Sequence, residues 1–134
     1  GIDGEPGPIG PSPTIFPYDI TFSAFEQFAP SMILGATVLA RPVLLPKDLA
    51  SSQAYCDTPP SSTPAKFYLS VDEVIIATLT FTPGNKIGTW SMPADVNINV
   101  GQVLRCRSAA PADFDTSILG IQLTVVGIAD ISGV

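Results

Sequence analysis

Ala65-Lys66-Phe67-Tyr68-Leu69-Ser70-Val71 alternates apolar with polar or amphipathic residues, and after Asp72-Glu73 the chain resumes as Val74-Ile75-Ile76-Ala77-Thr78-Leu79-Thr80-Phe81. Ala65, Phe67, Leu69 and Val71 share one face of the first run; Ile75, Ala77, Leu79 and Phe81 share one face of the second. A repeat of two residues is that of a strand with one buried face. Two such runs around a two-residue turn read as an antiparallel hairpin. The turn, Asp72-Glu73, is not the Asn-Gly that a primed hairpin turn favours, which leaves the register there open.

The same writing extends in both directions. Upstream, 20–28 is rich in aromatic residues, and 33–45 is a long apolar run broken by Pro42, which predicts an edge position or a bulge for its second half. Pro46-Lys47-Asp48 is a turn cluster, 50–57 places Ala54 and Cys56 on one face, and 57–64 is a loop by composition. Downstream, Pro83-Gly84-Asn85-Lys86 turns into a short strand, 87–91, with the only tryptophan, Trp90. Val96, Ile98 and Val100 alternate with Asn97 and Asn99, and 103–108 sets Leu104 and Cys106 against Arg105 and Arg107. A loop at 109–117 holds Pro111, Asp113 and Asp115. The last strand, 118–128, aligns Leu119, Ile121, Leu123 and Val125. Eight or nine short strands without a helix-period segment predict an all-β fold, an antiparallel β-sandwich of jelly-roll type.

Residues 1–13 are written differently. Gly1, Gly4, Gly7 and Gly10 hold glycine at every third position, with proline in three of the four triplets. Only glycine fits the crowded axis of three wound polyproline-II chains, so the motif predicts a collagen-like trimer. The chain is accordingly expected to be a piece of a longer shaft, with 1–13 as its last triplets and 14–134 as a head domain. Four triplets extend at most about 37 Å and have no intrachain hydrogen bonds. The head must therefore hold the three chains in register. With 46% hydrophobic and 13% charged residues, it has apolar surface to place in an inter-subunit interface.

Composition narrows the chemistry. Six basic residues against twelve acidic ones give a net charge of −6, and along the sequence Arg41, Lys47, Lys66, Lys86, Arg105 and Arg107 are scattered. Nucleic acid, which needs clustered Lys and Arg, is not an expected partner, and a neutral polar ligand suits such a surface better than a polyanion. No run reaches the ~18 apolar residues of a membrane span. The absence of histidine removes imidazole mechanisms, and Cys56 and Cys106, without a CxxC, are expected as buried free thiols. Outside the triplets, Asp72-Glu73 and Asp113-x-Asp115 are the only close carboxylate pairs, one in a turn and one in a loop without the ligand spacing of a calcium site. Neither an enzyme, a metal site nor a cofactor is expected. Phe16, Tyr18, Tyr55, Tyr68 and Trp90 are the aromatics that could stack on sugar rings.

Collagen-like triplets feeding an all-β head, together with Phe67-Tyr68-Leu69, Asp72-Glu73, Phe81-Thr82-Pro83-Gly84 and Val100-Gly101-Gln102-Val103-Leu104, resemble the C-terminal domain of tailed-bacteriophage fibre or receptor-binding proteins over most of 65–128. The resemblance implies a homotrimeric virion protein, assembled in the host cytoplasm, whose tip adheres to a bacterial surface receptor, usually a glycan. In such a trimer the loops far from the shaft are presented three times, which multiplies weak binding. That places host contact on 83–91 and 109–117, with Asn85, Lys86, Trp90, Asp113 and Asp115 as the candidate residues. The alternative is a structural trimerisation cap without a ligand, like the C1q- and tumour-necrosis-factor-like heads of bacterial collagen-like proteins. A polysaccharide depolymerase is disfavoured, because nothing in the chain repeats as a β-helix does.

Overall fold

The computed structural model describes residues 15–130; Gly1, Gly4, Gly7 and Gly10, with the boundary after residue 13, lie outside them. Ten strands follow in order: β1 (Ile15–Ala24), β2 (Ile33–Val38), β3 (Val43–Leu45), β4 (Gln53–Thr58), β5 (Ala65–Val71), β6 (Val74–Phe81), β7 (Thr89–Ser91), β8 (Val96–Ile98), β9 (Val103–Ser108) and β10 (Leu119–Asp130). Short 3-10 turns occupy Lys47–Leu49 and Pro111–Asp113. The described residues contain no α-helix, and so none that could cross a membrane.

All pairings are antiparallel and form two sheets. In the first, β10 pairs along its length with β1 on one side; its other side takes β4 and then β3, which is flanked by β8. The second runs β2-β9-β5-β6-β7. The inner faces meet as the alternation requires. Ile20, Phe22, Ala54, Cys56, Ile121, Leu123 and Val125 come from the first sheet, and Phe67, Leu69, Leu79, Phe81, Leu104 and Cys106 from the second, all buried. Phe67 sits among Phe28, Phe81 and Phe114, with ring centroids 6.4, 6.1 and 5.3 Å away.

One side of the sandwich is closed by a segment that changes sheets. Cys56 N–H donates to Lys86 O (2.9 Å) and Gly88 N–H to Ala54 O (3.1 Å), so 86–88 lines β4, whereas 89–91 pairs with β6. A Cβ at Gly88 would lie 2.7 Å from Leu79 Cδ1 and 3.0 Å from Ala54 Cβ, which is why this corner takes a residue without a side chain. On the opposite side β1 and β2 are the outer strands of their sheets, and the Phe22 ring packs against Gly35.

The hairpin is β5–β6, with Val71 opposite Val74. Asp72 and Glu73 both take positive φ, 47° and 73°, a primed turn built without glycine at a cost of about 1–2 kcal/mol per residue. Side-chain bonds offset it: Asp72 Oδ1 accepts from Val103 N–H (2.9 Å) and Oδ2 from Gln102 Nε2 (3.2 Å). The register slips between Leu69 and Ser70, a bulge that the alternation does not announce; it sets Ile75 opposite outward Ser70, so Ile75 is exposed and does not share the buried face of Ala77, Leu79 and Phe81. Pro42 marks neither an edge nor a bulge. It ends a crossing between sheets, and β3 beyond it is paired on both sides. The aromatic-rich segment is shifted as well: β1 stops at Ala24, and Phe28 is buried in the loop that follows.

The strands define two ends. Ile15, the first described residue, pairs with Asp130 at one; Ala24 pairs with Ile121 and Leu119 with Thr58 toward the other. Loops 25–32, 59–64, 82–88 and 109–118 occupy the second end, away from residue 15.

Candidate functional site

The distal loops are fastened to one another. The carboxylate of Asp115 accepts from Ser62 N–H (3.0 Å) and Thr63 N–H (3.1 Å) on Oδ2, and from Ser117 N–H (2.9 Å) and Ser117 Oγ (2.6 Å) on Oδ1. Gly84 N–H donates to Pro60 O (3.0 Å), and Gln27 Nε2 to Thr116 O (3.2 Å). Loops from four parts of the sequence thus form one platform, stitched through 59–64 and 115–117.

Of the residues expected to contact a receptor, Asn85, Lys86, Asp113 and Asp115 fall on this end, and Trp90 does not. Asn85 Oδ1 accepts from Ile87 N–H (2.9 Å), a local turn, and the residue is exposed. Lys86 and Asp113 are exposed. Asp115 is a staple, with both oxygens occupied by donors inside the platform. Trp90 is 9% exposed and points into the core beside Met92, so it offers no ring to a ligand. Thr89-Trp90-Ser91 reads exposed, buried, exposed. Phe16 and Tyr55 are exposed, and Tyr18 and Tyr68 half-buried.

The hydroxyl of Ser117 and then the N–H groups of Ser62, Ser117 and Thr63 hold the Asp115 carboxyl far below the usual carboxylate range. Hydrogen bonds to the charged form do this. Because the folded carboxyl titrates below its unfolded counterpart, its contribution is complete above the ordinary Asp pKa of about 4 and fades as pH falls below it. Hydrogen exchange at the Ser62 and Thr63 amides should therefore stay slow from neutral pH to about 5. Asp115→Ala should speed it at neutral pH by about tenfold, whereas unchanged protection would mean that the backbone alone holds the loop.

Both thiols are free and buried, Cys56 in the first sheet and Cys106 in the second. Burial pushes Cys106 up to about 12; burial and then Asp57 raise Cys56, against Lys86.

The outer sheet faces differ in chemistry. Across the first, Ser23, Gln122, Tyr55 and Ile87 stand in one row and Thr21, Thr124 and Gln53 in the next, with Pro17, Val126 and Ile128 toward residue 15. Asp19, opposite Val126, is the charged side chain in these rows, and Asp57 lies just beyond the first of them, bonded to Gln122. Across the second, β9 and β5 bring Arg105, Arg107, Lys66 and Tyr68 together. The basic residues are thus not all scattered: three of six share this face. Alternation already put Arg105 and Arg107 on one side of their strand, but only tertiary pairing sets β5 beside β9. No protein family, no curated protein and no solved structure matches this chain.

Proposed function

We propose that the chain is the homotrimeric head of a collagen-like fibre on a tailed bacteriophage, and that it attaches the virion to a receptor, a glycan, on the bacterial surface. The observation that carries this reading is the polarity of the sandwich: β1, which follows the triplets in sequence, begins at one end, and the fastened loop platform with Asn85, Lys86 and Asp113 stands at the other. Each sheet takes strands from both halves of the chain, in the orders β1-β10-β4 and β2-β9-β5-β6, which supports a jelly roll.

Three collagen-like strands require three heads whose first strands start close together. The first sheet's outer face suits that packing. Phe16, Pro17, Pro46, Ala50, Val126 and Ile128 line an apolar groove beside the start of β1. Farther along the same face Tyr55 and Ile87 are 39% and 56% exposed in direct pairing. The paired strand rows of β1, β10, β4 and β3 carry no lysine or arginine.

The test compares the native protein with an Asn85→Ala, Lys86→Ala, Asp113→Ala variant for retention on bacterial cells and on a glycan array, after light scattering has shown both to be trimers. Retention should fall by about a hundredfold, because weakening each of three sites removes the avidity that joins them. Equal retention would place the contact elsewhere or leave the head a structural cap.

A further inference from the structure

Lys66, Arg105 and Arg107 surround Tyr68 on the second sheet's outer face, in a chain whose net charge is −6. Tyr68 stands directly opposite Arg107 on β9 and Thr78 on β6, and Lys66, the next outward residue of β5, stands opposite Thr80. Glu73, at the end of the hairpin, pairs with Arg105 but lies 3.9 Å from Arg107, whose side chain is 46% exposed. Among the described residues no other carboxylate is paired with this cluster. Arg107 and Lys66 thus present charge that the chain itself does not fully answer.

We propose that this face binds an acidic polysaccharide that carries carboxylates on its sugar rings. One sugar lies on Tyr68, its carboxylate on Arg107 and Lys66, its hydroxyls toward Thr78 and Thr80. Cross-strand neighbours about 5 Å apart, with successive outward residues about 6.8 Å apart along a strand, match the dimensions of a pyranose ring. A guanidinium takes a carboxylate in two parallel hydrogen bonds. Tyr68 is half-buried, so little side-chain freedom is left to lose on stacking. Nucleic acid fits less well, since duplex binding typically draws on about 6–10 phosphate contacts and single strands on several stacking aromatics, whereas this face has three cations and one ring. With the first sheets packed together, this face points outward in all three copies. The proposal is independent of the distal loops: loss of binding there leaves it standing, and its own failure leaves them untouched.

Immobilised polygalacturonate, its fully methyl-esterified (neutral) form and single-stranded DNA provide the test for the full chain. The native protein should bind the acid form, not the ester, and weaken roughly tenfold between about 50 and 200 mM salt, as two ionic contacts require. Lys66→Gln with Arg107→Gln should lose about tenfold or more in affinity, and Tyr68→Leu, which keeps the bulk and the charge, should lose severalfold. Arg41→Gln with Lys47→Gln removes the same charge elsewhere and should bind as the native protein does. Equal binding to acid and ester, equal losses in both double variants, or tighter binding to the DNA would each overturn the proposal.

Discussion

Tyr55→Asp with Ile87→Asp should convert the trimer to monomers at micromolar concentration, read as a threefold drop in mass by light scattering. Both side chains point away from the core, so the fold should survive, with unchanged circular dichroism. If the face is the interface, each chain would carry two carboxylates into it without partners. An unpaired buried charge costs several kcal/mol, and about 1.4 kcal/mol is a factor of ten, so dissociation should increase by at least about a thousandfold. The control is drawn from the other sheet. Val38 and Ile75 are as apolar and even more exposed, at 64% and 59%, yet Val38→Asp with Ile75→Asp should leave the trimer intact. A trimer that survives the first pair, or dissolves with the second, would remove the first sheet from the assembly.

The inward and outward sets of most strands were legible in the sequence because period two needs only neighbours along the chain. Phe67 and Leu69 against Lys66 and Tyr68, or Leu104 and Cys106 against Arg105 and Arg107, read correctly residue by residue. Trp90 was legible in the same way and was misread. Gly88, Trp90 and Met92 alternate with Thr89 and Ser91, which sets the ring inward, whereas host contact placed on 83–91 requires it outward. Asp115 was not legible. Ser117, two residues on, makes only a local turn with it; the partners that make it a staple, Ser62 and Thr63, lie some fifty residues away, and nothing local separates a solvated loop aspartate from one that ties two loops together. The hairpin turn was obscured for a similar reason, since Asp72 and Glu73 hold left-handed backbone through bonds to Gln102, Val103 and Arg105, all remote in sequence. Pairing between distant strands, which built the cationic face, is the link that composition and periodicity omit.

Phe67→Ala should cause the largest loss of stability of any core substitution here, about 3–5 kcal/mol by the usual cost of such truncations. Phe67 is fully buried and meets Phe81 and Phe114 edge to face, at 85° and 87°, and each such contact is worth about 0.5–1.5 kcal/mol beyond the area it buries. The walls cannot close over the space, because hydrogen bonds hold β5 between β6 and β9. Against a typical domain stability of about 5–15 kcal/mol, this removes about a fifth or more. Denaturant midpoints at one fixed protein concentration check it, since dissociation would otherwise enter the transition. Phe67→Leu, which keeps most of the volume, should cost under about 2 kcal/mol. The loss should also reach the distal platform. Phe114 bridges to Ala65 immediately before Asp115, so withdrawing the Phe67 ring loosens the seat of the residue that leads into the staple. Hydrogen exchange at Ser62 and Thr63 should then rise in Phe67→Ala beyond what the global loss explains. Exchange that follows global stability alone would show that the loops are held by their own hydrogen bonds and not by the aromatic cluster beneath them.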